Sequence, residues 1–276
     1  MLILQLNGGL GNQMFQYAFG RTLSQKYGLD LYIDCSRFQG SNRSYSLDLF
    51  QISPNILAEI NFANIAGYTT KFIQESEFGF NEYILNCLDE NDLTRTVFIV
   101  CGYWQSYKYF LPIFSLLKKQ YRLFYDIDTI YIPIQQAIND SESVMVHVRR
   151  GDYLYRGNFE KHGVVDVNYI ETGMNYYREV LSDPLFFIFS DDIEWCAVNI
   201  KMSMDVIFVK KDHDEGRSSF CLMRQCKYFL ISNSTYSWWA AWLSNYSKKQ
   251  VICPRRWFRT EDIDSSDLIP SDWKLL

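Results

Sequence analysis

Residues 144–153 read VMVHVRRGDY, an apolar run that stops abruptly at His147, Arg149, Arg150, Gly151 and Asp152. Three valines and a methionine running into a basic tip predict a buried β-strand whose carboxyl end opens into a loop. In open α/β sheets, ligands sit outside the carboxyl ends of strands. Two adjacent guanidinium forks suit phosphate oxygens, Gly151 lets the backbone turn or approach a ligand closely, and His147 and Asp152 add titratable groups beside them. A phosphorylated ligand is the first reading of this stretch. The other is a strand end carrying two solvated arginines and a structural aspartate.

Working outward, strands and helices alternate on both sides. Residues 2–6 read as a strand and 7–13, NGGLGNQ, as a turn into a helix over 14–27, with Phe15, Phe19, Leu23 and Tyr27 at intervals of four and Gly28 as its stop. A strand at 29–33 follows. Residues 35–96 are weakly periodic and rich in Asn, Ser and Asp, which suggests short helices and loops. A strand at 97–101 and a helix over 108–123, with Pro112 near its first turn, close the first half. Residues 127–140, with Pro133, read as a linker, dividing the chain into halves at 1–140 and 141–276. Beyond the arginine loop come a helix at 168–181, a strand at 185–189 ending in Ser190, Asp191 and Asp192, and a helix from 192. A strand at 206–209, a helix at 218–226 and a strand at 228–231 follow. The loop SNSTYS (232–237) then leads into a helix carrying Trp238, Trp239 and Trp242, before a last strand at 251–253. This alternation predicts an α/β architecture with mainly parallel sheets.

Composition narrows the chemistry. With 276 residues, 48% hydrophobic, 21% charged and a formal net charge of −5, the chain is globular and lacks the broad basic footprint of a nucleic-acid binder. The arginine pair is a local feature. Seven cysteines without any CxxC spacing fit reduced thiols. A metal site from Cys221, Cys226 and a histidine is weighed against two packing residues on one helix, and packing is the simpler account. No basic n-region followed by an apolar core and no 18-residue apolar run is present, so a cytoplasmic location is expected.

Three loops in the second half lie at predicted strand ends: Arg149 to Asp152, Ser190 to Asp192, and 232–237. The first can neutralise a diphosphate and the third offers hydroxyl and backbone N–H donors at a helix start. Asp191 and Asp192 can bind ribose, sugar hydroxyls or a base N–H, or serve as a helix cap or metal ligand. The tryptophans fall on a helix, where core packing is the commoner role. The glycine turn at 8–11 suits an anion at a helix N-terminus or a tight turn needing glycine for shape alone. As a dinucleotide fingerprint it fails, since Met14 stands where the third glycine belongs.

GGLGNQMFQYAFG, HVRRGDY, FSDDIEW and SNSTYSWWAAWL together resemble the α-1,2-fucosyltransferases, inverting enzymes that move L-fucose from GDP-β-L-fucose to a galactoside 2-hydroxyl. GYWQSYKYF around Trp104, VICPRRWF and DLIPSDWKLL extend the resemblance over nearly the whole chain, and the lack of an anchor resembles bacterial members. The resemblance implies a GT-B-like fold, two Rossmann-like halves facing across a donor/acceptor cleft, with GDP-fucose bound mainly by the C-terminal half and the acceptor on the N-terminal side. It implies that Arg149 binds the β-phosphate, His147 contacts the nucleotide, Arg150 and Asp152 order the loop, and Asn233, Ser234, Thr235 and Ser237 meet the diphosphate. Gly9, Gly11, Asn12 and Gln13 would reach the same cleft, and Asp191 and Asp192 complete the donor-binding set. No metal or other cofactor is implied, and the expected partners are GDP-β-L-fucose and a β-galactoside, with peripheral contact at the cytosolic membrane face where the acceptor is a glycolipid. The sequence departs from the family where relatives carry an acidic residue: Ser219 stands there, leaving Asp214 and Glu215 as candidates to read the guanine edge. Asp152 and a departing phosphate oxygen both remain as the base. The rival readings are a nicotinamide-dependent oxidoreductase and a catalytically silent glycan-binding protein.

Overall fold

The computed structural model describes residues 1–52, 55–57, 60, 65–124, 126–201, 203–210 and 216–276. The chain forms two compact units, Met1–Phe124 with Asp264–Pro270, and Tyr125–Ile263 with Ser271–Leu276.

Unit 1 runs β1 (Leu2–Gln5), α1 (Leu10–Tyr27), β2 (Leu31–Asp34), β3 (Asn55–Leu57), β4 (Thr69–Gln74), α2 (Glu82–Leu85), β5 (Thr96–Cys101) and α3 (Phe114–Gln120). Its sheet has the order β3-β2-β1-β5-β4 and every pairing is parallel. Crossovers put helical and loop segments over the sheet faces, which is why β1 and β5 read as nearly unbroken apolar runs. Ile3, Ile65, Val97 and Ile99 form one core layer. Helix α1 lies close on the sheet: a Cβ at Gly20 would meet Leu4 Cδ2 at 3.1 Å. It ends at Gly28, whose φ of 64° and N–H to Ser24 O make a left-handed cap.

Unit 2 runs α4 (Ile132–Asp140), β6 (Glu142–Val148), α5 (Arg156–Lys161), α6 (Val167–Val180), β7 (Pro184–Ser190), α7 (Ile193–Asn199), β8 (Val206–Phe208), α8 (Arg217–Gln225), β9 (Tyr228–Leu230), α9 (Thr235–Leu243), β10 (Gln250–Cys253) and β11 (Lys274–Leu275). The order β11-β10-β9-β6-β7-β8 is again wholly parallel. Val144, Val146 and Val148 of β6 and Phe186 and Ile188 of β7 pack against Ile170, Met174 and Tyr177 of α6. Trp238 and Trp239 of α9 are fully buried and Trp242 nearly so, which makes the tryptophan helix core.

Several expectations change. Helix α1 begins at Leu10, four residues before the expected start, so Gly11, Asn12 and Gln13 lie in its first turn. The stretch read as a linker is a 3-10 turn (Thr129–Tyr131) followed by α4, with Pro133 in the first turn, where its missing N–H costs nothing. Buried Ile138 and the bond from Gln135 Nε2 to Gln225 Oε1 tie α4 into unit 2, so the units divide after Phe124 and not after residue 140. Strand β4, TTKFIQ, lies at a sheet edge and buries only Ile73, too little for its period to show in sequence. The helix expected over 108–123 is regular only as α3, because Pro112 sits in a preceding 3-10 turn (Leu111–Ile113).

Candidate functional site

In unit 2, β7 and β8 continue the sheet on one side of β6 while β9 and β10 lie on the other, so the strand order reverses between β6 and β9. This switch point is where a doubly wound sheet leaves a crevice at its carboxyl edge. The arginine loop leaves β6 there and the SNSTYS loop leaves β9. His147 Nδ1 and Ser232 Oγ lie 2.7 Å apart, and Tyr153 Oη donates to Asn233 O at 3.2 Å, so the two loops are joined directly.

Arg149 is held between two carboxylates. Its Nη2 pairs with Asp152 Oδ1 and its Nη1 with Asp191 Oδ2 at 2.8 Å. A guanidinium gripped at both ends has a fixed plane, and its side chain keeps 23% of its surface in solvent. Arg150 N–H donates to Asp191 Oδ1 at 2.9 Å, and its Nε donates to Asp192 Oδ2 at 3.1 Å. Its guanidinium also lies 3.8 Å from the centroid of the Trp195 ring. Asp192 caps α7 by accepting from Trp195 N–H, and Ser190 Oγ donates to Val148 O. A Cβ at Gly151 would meet Asp191 Oδ2 at 2.4 Å, so any side chain there would have to displace the carboxylate that braces Arg149. The reading of Asp191 and Asp192 as ligand contacts therefore changes emphasis: both orient the arginines, and Asp192 is also the helix cap.

His147 is 6% exposed. Burial, reinforced by the Arg149 cation, pushes its imidazole down to about 3, so it is neutral at physiological pH and serves as a hydrogen-bonding group. The Tyr153 ring stacks on His162 at 4.9 Å between centroids and lies 5.5 Å from the Arg149 guanidinium. Asn233 Nδ2 donates to His162 O at 2.7 Å and to Trp257 O at 3.2 Å, while its buried Oδ1 has no hydrogen-bond partner. Ser237 turns its hydroxyl into its own helix, donating to Ser234 O, and of Asn233, Ser234, Thr235 and Ser237 only Thr235 is not buried. Of these four side chains only that of Thr235 keeps surface through which a ligand could be met. Ser219 lies in the first turn of α8, whose Gly216 cap accepts a hydrogen bond from Tyr236 Oη at 2.5 Å. The Tyr236 ring in turn lies 5.9 Å from His147. Asp214 and Glu215 lie outside the described residues.

In unit 1 the glycine turn also leaves a switch point, between β1 and β5. Gly9 caps α1. Gln13, read as a donor contact, is fully buried; its amide donates to Gly8 O and Ser44 O and accepts from Ser46 N–H. Gly11 is buried and Asn12 Oδ1 accepts from Gln105 Nε2 at 3.0 Å. The turn is thus a braced structural element.

Tyr153, His162 and Trp195 were missed as site residues. Each supports a residue that was found; Tyr153 and Trp195 close the RRGDY and DDIEW segments, which could have flagged them, whereas no local signal marks His162. Among the described residues no three His, Cys, Asp or Glu side chains cluster as metal ligands, Cys221 and Cys226 included. No helix among them is long and apolar enough to cross a membrane.

An alpha-1,2-colitosyltransferase of Escherichia coli is 30% identical over 99% of this chain and 98% of its own length. The human galactoside alpha-(1,2)-fucosyltransferase 1 is 25% identical over 86% of this chain and 64% of its own length. The alpha-1,6-fucosyltransferase NodZ, whose crystals were soaked with GDP-fucose, superposes with a TM-score of 0.52 at 15% identity, covering 88% of this chain and 91% of its own. That likeness carries the fold, the α/β arrangement of two Rossmann-like halves known as GT-B. The model of glycosyl transferase family 11 matches residues 1–273, and the chain belongs to that family of glycosyltransferases.

Proposed function

We propose that this protein transfers L-fucose from GDP-β-L-fucose to the 2-hydroxyl of a terminal β-galactoside with inversion, in the synthesis of a glycan or surface polysaccharide. The observation that carries the reading is Arg149, gripped by Asp152 and Asp191 at the unit 2 switch point with part of its guanidinium in solvent. As the glycosidic bond breaks, negative charge collects on the departing GDP, and a pre-oriented guanidinium gains most at that stage. Neutral His147 adds a hydrogen bond without adding a charge that would change near neutrality. A base helps deprotonate the acceptor hydroxyl, typically by about 10²- to 10⁴-fold. Asp152 is tied to Arg149, which favours an oxygen of the departing phosphate for this step over Asp152. No metal is required in this reading.

The test is incubation with GDP-fucose and a panel of β-galactosides, with the linkage of the product read by NMR. A fucosyl α-1,2-galactoside is expected, and absence of both GDP binding and transfer overturns the reading. The alpha-1,2-colitosyltransferase relative favours colitose as a second transferred sugar, offered in the assay as GDP-colitose. A higher kcat/KM with GDP-colitose than with GDP-fucose would reassign the donor and leave the reaction class intact.

A further inference from the structure

Residues 93–125 contain Arg95, Lys108, Lys118, Lys119 and Arg122 and no aspartate or glutamate, in a chain whose formal net charge is −5. Lys108 is answered from elsewhere by Asp267. The last three cations stand on α3 and just beyond its end. Among the described residues, no carboxylate pairs with Lys118, Lys119 or Arg122.

The segment is two-sided. Ile113, Leu117 and Tyr121 recur every fourth residue and are buried, and Tyr121 Oη donates to Met14 O of α1 at 2.6 Å. Leu111, Ser115, Lys119 and Arg122 are exposed, and Lys118 Nζ lies 5.4 Å from the centroid of the Phe114 ring. Two apolar side chains share this surface, Leu111 at 50% exposure and Phe124 at 63%. The backbone at Phe124 is held in place. Its N–H donates to Leu49 O at 2.9 Å, Gln51 N–H donates to Arg122 O at 2.8 Å, and Leu123 forms an antiparallel bridge with Phe50. This pairing also brings up Asp48, the neighbour of Leu49, which offsets part of the charge.

Ordinary accounts of such a surface fall short. Lysines in a last helical turn complement the helix dipole, which explains Lys118 and Lys119 but not two exposed apolar side chains on the same segment. A two-fold dimer through this face would set three cations against three. A nucleic acid is opposed by the net charge of the chain and has no use for Leu111. An anionic bilayer uses both kinds of residue: its headgroup phosphates answer the cations, while leucine and phenylalanine enter the boundary with the acyl chains. We infer that the face formed by Leu111, Lys118, Lys119, Arg122 and Phe124 docks unit 1 on an anionic lipid surface. The inference goes beyond the transfer reaction and holds whichever sugar is moved. Each basic residue at such a surface is worth roughly fivefold in partitioning, so the three together give on the order of 100-fold.

The test is co-sedimentation of the whole chain with vesicles of phosphatidylcholine alone and of three parts phosphatidylcholine to one part phosphatidylglycerol. Wild type is expected on the anionic vesicles at low salt and off them at about 1 M NaCl, where charge is screened within a few ångströms. The triple variant Lys118→Gln, Lys119→Gln, Arg122→Gln should lower partitioning roughly 100-fold. The double variant Leu111→Ser, Phe124→Ser should lower it at least tenfold, while Arg156→Gln with Lys161→Gln, two exposed cations on α5, should leave it within twofold. Wild type that binds neither kind of vesicle, or both equally, would overturn the inference. So would a triple variant that binds as wild type does, or an equal loss in the α5 pair. Sedimentation velocity adds one more overturning result: a wild-type dimer that the triple variant abolishes would assign the face to a second copy of the chain.

Discussion

Arg149 presents both ends of its guanidinium to carboxylates, a geometry that an ammonium cannot copy. Arg149→Lys retains the charge but cannot span Asp152 and Asp191 while also meeting a phosphate. A charge-assisted bond is worth about 1.5–3 kcal/mol, so one lost from the transition state costs roughly one to two decades in kcat/KM. A lysine variant within threefold of wild type would remove Arg149 from the mechanism. His147 makes a different forecast. With its folded value near 3 against about 6.5 in the unfolded chain, the unfolded state binds the extra proton between those values. The sign is therefore loss of stability as pH falls below about 6.5, with nothing further gained above it. At pH 5 the deficit is about 2 kcal/mol. Urea unfolding at pH 7.5 and 5.0 should show a smaller pH-dependent loss in His147→Gln than in wild type, and equal losses would mean that the imidazole is not buried neutral.

At the level of elements, the loops are set by how closely neighbouring strands and helices approach. Gly151→Ala would drive a methyl into Asp191, which is already bonded to Arg149 and the Arg150 N–H and cannot swing away freely. Donor kcat/KM should fall at least tenfold while urea stability falls by no more than about 1–3 kcal/mol; unchanged donor kinetics would show that the aspartate is not the brace. Gly173 makes the complementary case, remote from the arginine loop. A Cβ there would lie 2.5 Å from Leu230 Cδ1, where α6 packs on β9, so Gly173→Ala should cost about 1–3 kcal/mol by overpacking. Measured stability equal to wild type would mean that α6 shifts without penalty. These contacts also mark how far the sequence could be read. The strand carrying VMVHV announced itself because parallel strands buried on both faces are continuously apolar, whereas α4 before it and α5 after it did not. Pro133 misled because proline marks a break and a helix start alike. Gln13 looked available for a ligand because nothing local reveals that its amide closes on Ser44 and Ser46, more than 30 residues away. The Asp191–Arg149 pair was equally hidden, because it depends on the register of β6 against β7.

For the whole molecule, the open question is how an acidic chain of net charge −5 meets a diphosphate. At the two loop tips Arg149 and Arg150 face Asp152, Asp191 and Asp192, which leaves one negative charge in excess. Two arrangements can accommodate a ligand that is itself anionic. In one, Arg149 turns part of its fork from a carboxylate to the phosphate, and backbone N–H groups at the start of α9 supply the remainder. In the other, a divalent cation joins the site, and Asp191 or Asp192 gives up its arginine to hold it. The second exchanges hydrogen-bonded ion pairs, and in the case of Asp192 a helix cap, for metal ligation. That cost favours the first. Transfer and GDP binding are therefore expected to survive EDTA unchanged, and GDP affinity should fall as ionic strength rises because the contact is electrostatic and partly exposed. Loss of transfer in EDTA with rescue by Mg²⁺ or Mn²⁺, and loss of that rescue in Asp191→Asn, would establish the cation-bound arrangement instead.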